Sequence, residues 1–437
     1  MNDLVQPPAV SPGPPARGPT SVVADRTGPS PGRALARQNG RMAADRSQAP
    51  SRLDPADLYA VDSLLSEEER LIQGTVRDWV RRRFLPGVAG HFAAGTFPGE
   101  LIPELASLGL LGMHLQGYGC AGSSALAYGV ACEELEAGDS GLRSFVSVQG
   151  SLCMFPIRRF GSEEQRQRWL PEMAAGRVVG CFGLTEADAG SDPAAMRTRA
   201  RRAGGDWIVS GSKMWISNGS IADLAVVWAQ TDDGVRGFLV ERGMPGFSAR
   251  DVEGKLSLRA SVTSELVLDE VRLPQASVLP EAHGLRAPLG CLDEARFGIS
   301  WGVLGAARAC YQAALEYAAG RHAFGRPIAA FQLTQARLAE MATRLVQGRL
   351  VAHRLGVLKD AGLARPVQVS LAKRANTRMA LDIAREARAM LGANGITLEY
   401  PVARHMANLE AVLTYEGTEE VHTLVLGREV TGLSAFS

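Results

Sequence analysis

The segment Thr414-Tyr415-Glu416-Gly417-Thr418 holds the residue in this chain best suited to proton chemistry. In an apolar pocket, desolvation would raise the pKa of Glu416 toward working pH and make it a general base. At a helix start the same residue would be an ordinary first-turn acid, so its role depends on its company. Far upstream stands Phe182-Gly183-Leu184-Thr185-Glu186-Ala187-Asp188-Ala189-Gly190-Ser191-Asp192. Its small and hydroxyl-bearing residues let backbone approach a flat group, although taken alone the stretch also reads as a loop with a helix cap at Ser191 or Asp192. A third polar stretch, Lys213-Met214-Trp215-Ile216-Ser217-Asn218, follows. Here Trp215 reads equally as plain core on a half-buried strand.

The elements that must position these residues fall into three zones. Ser66 and Glu69 have capping-box spacing, and Leu71, Val76, Trp79 and Val80 recur at helical intervals. Helical patterns continue through Leu101–Leu111 and Ala125–Glu136, with a glycine-rich break at Gly117–Gly122 between them. A second capping box, Ser162 to Gln165, opens another before Trp169 and Leu170. After about residue 180 the period changes. Trp207–Ser210, Gly211-Ser212 and Lys213–Trp215 read as strand, turn and strand. Ala225–Ala229 and Gly237–Val240 flank the hairpin signal Asp232-Asp233-Gly234, and Leu266–Leu268 closes the run. Short strands with no helix between them predict a small β-barrel or sandwich. From Cys291 onward the pattern is helical again, over Trp301–Tyr317, Leu333–Leu358, Val367–Leu391 and Glu419–Val430, as in a helical bundle. The expected architecture is α+β and multidomain: residues 53–180 helical, 181–285 β and 286–437 a helical bundle.

Composition bounds the rest. A chain of 437 residues exceeds one compact core, so several domains are expected. With 47 basic and 46 acidic residues the net charge is +1, which offers no electrostatic footprint for nucleic acid or an anionic membrane. No apolar run is long enough to cross a bilayer. The six cysteines form no CxxC pair and no His/Cys cluster, so neither a metal site nor a disulfide framework is expected, and reduced thiols fit a cytoplasmic compartment. Residues 1–52 are crowded with Pro, Ser, Gly and Arg and read as a disordered extension. Their Arg-rich character partly resembles a transit segment, which would direct a eukaryotic protein to the mitochondrial matrix. Prolines 7, 8, 12, 14 and 15 would break the helix such segments need, and Met42 is an alternative start.

The order of zones and the three motifs resemble the acyl-CoA dehydrogenase family over roughly residues 53–437. Arg143-Ser144-Phe145-Val146-Ser147-Val148-Gln149, Leu258-Arg259-Ala260-Ser261 and Thr414–Thr418 resemble its glutaryl-CoA dehydrogenase branch. The resemblance implies FAD as cofactor and oxidation of the Cα–Cβ bond of an acyl thioester. Glu416 would take the α-proton, the β-hydrogen would leave as hydride to flavin N5, and the Glu416 N–H would help hold the thioester carbonyl. Around the flavin it implies the stretch of Phe182, Leu184 and Thr185, with Thr185 bonding the ring. It also implies Ser191 at the pyrophosphate, Trp215 beside the isoalloxazine, Ser217 near N5, and Thr418 beyond the base. Arg321, Phe324 and Gln332 would grip the adenine and pyrophosphate from a neighbouring subunit, in a homotetramer built as a dimer of dimers. A helix-capping Arg321 is the alternative there.

Substrate choice rests on Arg143. Its guanidinium can pair bidentately with the distal carboxylate of a glutaryl chain in a site closed to water. Ser147, one helical turn later, can join that clamp. By resemblance Glu136 tunes the arginine and Tyr415 stands near the distal carboxylate, while a surface pairing of Glu136 with Arg143 is the structural alternative. Two departures stand out: Leu142 replaces a usual tyrosine, and Ala393 replaces a second glycine near the cofactor. The expected reaction is oxidative decarboxylation of glutaryl-CoA to crotonyl-CoA and carbon dioxide, with electrons passing to an electron-transfer flavoprotein. The alternatives are a dehydrogenase of monocarboxylic short or branched acyl-CoAs, an oxidase using oxygen directly, or an inactive flavin- or CoA-binding protein.

Overall fold

The computed structural model describes residues 53–435. The tail 1–52 lies outside them. The chain runs helices, sheet, helices. The first zone holds α1 (Glu67–Trp79), α2 (Leu85–Ala94), α3 (Ile102–Ser107), a small hairpin of β1 (Gln116–Gly117) and β2 (Cys120–Ala121), α4 (Ala125–Gly138), α5 (Ser140–Ser147), α6 (Phe155–Phe160) and α7 (Glu163–Ala174). Both capping boxes form: Ser66 with Glu69 opens α1, and Ser162 with Gln165 opens α7. The helix expected over Leu101–Leu111 stops at Ser107, because Gly109 and Gly112 take left-handed backbone at φ 71° and 70°.

Seven strands follow: β3 (Gly180–Gly183), β4 (Arg199–Ala203), β5 (Asp206–Ser217), β6 (Leu224–Thr231), β7 (Gly234–Glu241), β8 (Phe247–Asp251) and β9 (Thr263–Pro274). They make one curled sheet in the order β3-β6-β4-β5-β9-β8, with β7 also on β6. Strand β6 shows why both faces are covered. Leu224, Val226 and Trp228 pack with Leu170 and Met173 of α7, whereas the alternate residues Ala225, Val227 and Ala229 pack with Val209 and Leu266. The turn expected at Gly211-Ser212 does not form. Instead β5 runs unbroken through it, with irregular pairing to β9 between Val209 and Gly211 and again between Lys213 and Ile216. Gly211 is needed because a Cβ there would press on Thr198, which crosses at close range.

The last zone comprises α8 (Arg286–Gly320), the hairpin of β10 (His322–Ala323) and β11 (Arg326–Pro327), α9 (Gln332–Asp360), α10 (Pro366–Met390), α11 (Val402–Thr414) and α12 (Glu419–Thr431). Helix α11 was not anticipated, although its buried Val402, His405, Leu409 and Val412 recur every three or four residues. The 35-residue α8 closes on α4 through glycines. A Cβ at Gly298 would come to 2.9 Å of Tyr128 Oη, and one at Gly305 would overlap the Glu133 carbonyl. That close approach brings α4, and α5 after it, against the end of α11. No helix among the described residues is long and apolar enough to cross a membrane.

Candidate active site

Glu416 sits in the four-residue link between α11 and α12. Its backbone is left-handed at φ 51°, unusual for a residue with a long side chain, and Gly417 follows at φ 92°. Outside groups hold it there. Arg296 of α8 donates from Nε to the Glu416 carbonyl at 2.7 Å. Lys373 of α10 donates from Nζ to the carbonyls of Tyr415 at 2.6 Å and Gly417 at 2.5 Å. Gly417 has no room for a side chain, since a Cβ would lie 2.9 Å from His422 Nε2. The helix-cap role falls to Thr418, whose hydroxyl accepts from the Val421 N–H, so Glu416 is not the cap. The residue as a whole is half-buried, yet its Oε2 is shut away from solvent without a hydrogen-bond partner. Burial raises its pKa, and the positive charges of Arg143, Lys373 and Arg296 oppose that rise.

Arg143 and Glu136 are each 0% exposed, which removes the surface-pairing alternative. They do not share one helix: Asp139 breaks the path with extended backbone, and its side chain caps α5 through the Gly141 N–H. The break turns Arg143 back toward Glu136. Arg143 Nε donates to Glu136 Oε2 at 2.6 Å, and Ser140 Oγ donates to Glu136 Oε1 at 2.8 Å. Arg143 Nη2 donates to the Tyr415 hydroxyl. Although burial works against the guanidinium charge, Glu136 and Tyr415 hold its pKa well above the usual range. Two donors remain over: Arg143 Nη1 and Ser147 Oγ are buried without a well-formed hydrogen bond. Ser147 ends α5 one turn beyond Arg143, as the spacing predicted. At the position of the usual tyrosine, Leu142 is wholly buried among apolar neighbours.

The sheet carries the second group. Thr185 follows β3, and its carbonyl accepts from the Met214 N–H at 2.9 Å, tying that loop to β5. A buried ion pair locks the same join. Lys213 Nζ reaches Glu186 Oε1 at 2.8 Å and the Leu184 carbonyl at 3.1 Å. Glu186 also accepts from the N–H groups of Arg197 and Thr198. Burial pushes its carboxyl up, but the bonds from Lys213 and Thr198 win and hold it down at about 2. Trp215 has φ 64° and is 58% exposed as a residue, so the plain-core reading fails. Ser217 is half-buried at the end of β5, and Ser191 is exposed. Phe182 and Leu184 are core residues, Phe182 packing on Trp228 at 6.1 Å between ring centres.

Arg321, Phe324 and Gln332 lie elsewhere, around the β10–β11 hairpin. All three are exposed, Phe324 to 95% with φ 51°. Among the described residues they share no hydrogen bond or ring contact with the Glu416 group. Arg321 is the C-cap residue of α8, its backbone N–H donating to the Tyr317 carbonyl at 2.8 Å, so the helix-capping alternative holds through its main chain.

Sequence comparison decides the family. Residues 66–177 match the acyl-CoA dehydrogenase N-terminal domain, 181–271 the middle domain and 282–431 the C-terminal domain. The chain belongs to the acyl-CoA dehydrogenase family. Human mitochondrial short-chain specific acyl-CoA dehydrogenase is 36% identical over 83% of this chain and 90% of its own length. The crystal structure of glutaryl-CoA dehydrogenase from Mycobacterium smegmatis is 60% identical, covers 88% of this chain and all of its own, and superimposes with a TM-score of 0.87. A structure of the enzyme from that organism in complex with FADH2 is 59% identical, with the same coverage and a TM-score of 0.88.

The cofactor of this family member is FAD, and the residues present fit it. An apolar indole held outward in unfavourable backbone, beside the half-buried hydroxyls of Thr185 and Ser217, is a surface a flat ring system would cover. Reading the sequence missed five residues that build the site: Lys373, Arg296, Gly302 and the Lys213–Glu186 pair. Gly302 of α8 faces the clamp, where a Cβ would overlap Glu136 Oε2 and lie 3.1 Å from Arg143 Nε. A signal existed for Lys373: although Arg374 follows it directly, helical spacing puts Lys373 on the inner face with Val369, Asn376 and Ala380.

Proposed function

We propose that the chain oxidatively decarboxylates glutaryl-CoA to crotonyl-CoA and carbon dioxide, with Glu416 as the catalytic base. The observation that carries the substrate is Arg143 Nη1, the buried guanidinium nitrogen left without a partner once Nε has bonded Glu136 and Nη2 has bonded Tyr415. Leaving such a donor unpaired costs about 1–3 kcal/mol, so an arriving carboxylate finds a site already desolvated and oriented. Ser147 Oγ, also unpaired, is the second donor on the same helix turn.

The chemistry then follows from the groups in place. Glu416 must be ionised to take the α-proton, and burial raises its pKa from the usual carboxylate value, which favours holding that proton once taken. Bound FAD supplies the acceptor for the β-hydride. Arg143 keeps the far end of the chain fixed, and Glu136 balances the guanidinium charge before and after the carboxylate arrives. Cleavage of the Cγ–carboxyl bond sends its electron pair through the new double bond toward the thioester carbonyl, and carbon dioxide departs. Protonated Glu416 is then the acid that returns a proton to the substrate carbon. Thr185, Trp215 and Ser217 are assigned to the flavin, with Phe182, Leu184 and Ser191 supporting its loop and Thr418 fixing the start of α12. Arg321, Phe324 and Gln332 are assigned to the FAD of a neighbouring subunit in a homotetramer, an assignment supported by the exposure of Phe324. The electron acceptor proposed is an electron-transfer flavoprotein.

The rival substrate class is a monocarboxylic short-chain acyl-CoA, favoured by the human short-chain relative. Arg143→Ala separates the two. On the proposed reading it lowers kcat/KM for glutaryl-CoA at least 100-fold relative to butyryl-CoA, matching about 3 kcal/mol for charge-assisted bonds. Equal losses on both substrates would assign Arg143 to structure and leave the monocarboxylic reading.

A further inference from the structure

Three consecutive carbonyls, those of Tyr415, Glu416 and Gly417, each accept a hydrogen bond from a cationic side chain. Arg296 takes the middle one, and Lys373 takes the two on either side. Lys373 is 1% exposed and comes from α10, a helix that carries no other part of the base's surroundings. An ammonium group is strongly hydrated, and burying one without purpose is costly. Its ring contact with Tyr415, 5.9 Å from Nζ to the ring centre, adds a third tie to the same link.

We propose that Lys373 is the positioning residue of the base: it pins the left-handed backbone of Glu416, and its charge sets the pH at which the Glu416 carboxylate becomes available. The inference rests on the reading of Glu416 as base. Pulling the carbonyls on either side toward α10 leaves Glu416 little choice of backbone, while its Oε2 stays buried without a hydrogen-bond partner. Lys373 still acts on it through space.

The charged and titratable groups facing Lys373 are few. Glu416 and Tyr415 come from the link itself, Arg296 from α8, Arg143 from α5 and His422 from α12. Burial brings Lys373 down to about 7, with Arg296 and Arg143 pushing the same way and Glu416 opposing. His422 is held neutral by its own burial, at about 3. The two arginines stay charged throughout the working range. Lys373 is therefore the cation in the cradle whose charge changes near neutrality.

The test is the pH profile of kcat/KM for Lys373→Met, run with glutaryl-CoA and butyryl-CoA on FAD-loaded protein. Removing a positive charge beside a carboxylate raises the carboxylate's pKa, so the acid limb must move upward. The expected shift is about one pH unit or more on both substrates, a roughly tenfold loss below the limb. Lys373→Arg, which keeps the charge, is expected to return the limb toward its original pH. Should Lys373→Met fail to retain FAD, Lys373→Gln, which keeps a donor without the charge, is read in the same way. An unmoved limb in either folded, FAD-loaded neutral variant overturns the proposal and leaves Lys373 a structural residue. Glu416→Gln runs beside them: full activity there overturns the base reading itself, whereas an inactive Glu416→Gln with an unmoved Lys373 limb overturns only this inference.

Discussion

Replacing Gly302 by alanine adds one methyl group at the back of the arginine clamp. The new Cβ would overlap Glu136 Oε2 and crowd Arg143 Nε and Cδ, at 3.1 and 3.2 Å. Ordinary contact is about 3.5 Å, so the carboxylate must retreat by about 1 Å. It has nowhere to go, because Glu136 and Arg143 are both 0% exposed and Ser140 grips the other oxygen. Breaking a buried pair outright costs about 3–5 kcal/mol; a displaced pair loses part of that, and alanine's better helix propensity returns about 1 kcal/mol. The expected net loss is thus about 1–3 kcal/mol in urea unfolding. Kinetics are the sharper readout, since a guanidinium moved by about 1 Å costs on the order of 100-fold. That loss should fall on glutaryl-CoA and largely spare butyryl-CoA. Gly290→Ala on the same helix is the control: its Cβ would meet nothing within 4 Å, so it should be neutral or stabilising by up to about 1 kcal/mol. A Gly302→Ala enzyme with wild-type stability and an unchanged ratio between the two substrates would refute the reasoning.

Glu186→Ala strands Lys213 as a buried, unpaired cation and should cost about 3–5 kcal/mol in urea unfolding together with loss of bound FAD; a loss below about 1 kcal/mol would show the pair is relaxed by water. Acid should destabilise the fold before its carboxylates protonate. His114 and His422 are held by burial at about 4 and about 3. Between these values and the ordinary 6.5 the unfolded chain binds more protons, so stability falls as pH drops through that window, by on the order of 3 kcal/mol for each histidine. Thermal unfolding from pH 7 to pH 4.5 reads this, and a flat profile would contradict it. Phe324→Ala should leave the far-ultraviolet circular dichroism unchanged yet weaken FAD retention about tenfold, in line with one ring contact. Unchanged retention would remove Phe324 from the cofactor grip.

The parts of this molecule legible in its sequence are those set by local rules. Capping boxes at Ser66 and Ser162 form as read, and α9, α10 and α12 fall within a residue or two of their hydrophobic periods, whereas α8 begins well before its predicted segment and α11 was not read at all. Glu416, Tyr415, Arg143 and Glu136 meet across 280 residues of sequence only because the motifs had a known counterpart; no spacing rule predicts that meeting. What escaped depends on tertiary approach. Gly211 looked like a turn residue because glycine favours turns, but its freedom is used to let Thr198 pass close to a continuous strand. Gly302 and Lys373 show no role until the neighbouring helices are in place, for their roles lie in what α4, α8 and α10 bring together.

The account stands on Glu416 and Arg143 acting on one substrate. The direct measurement is an anaerobic titration of the FAD-loaded protein with glutaryl-CoA, following flavin absorbance and identifying the product by mass, with Glu416→Gln in parallel. Bleaching of the flavin with crotonyl-CoA formed by the native protein, and no bleaching in Glu416→Gln, is the predicted result. A native flavin bleached by butyryl-CoA but untouched by glutaryl-CoA, or a Glu416→Gln protein that bleaches as fast as the native one, would contradict it.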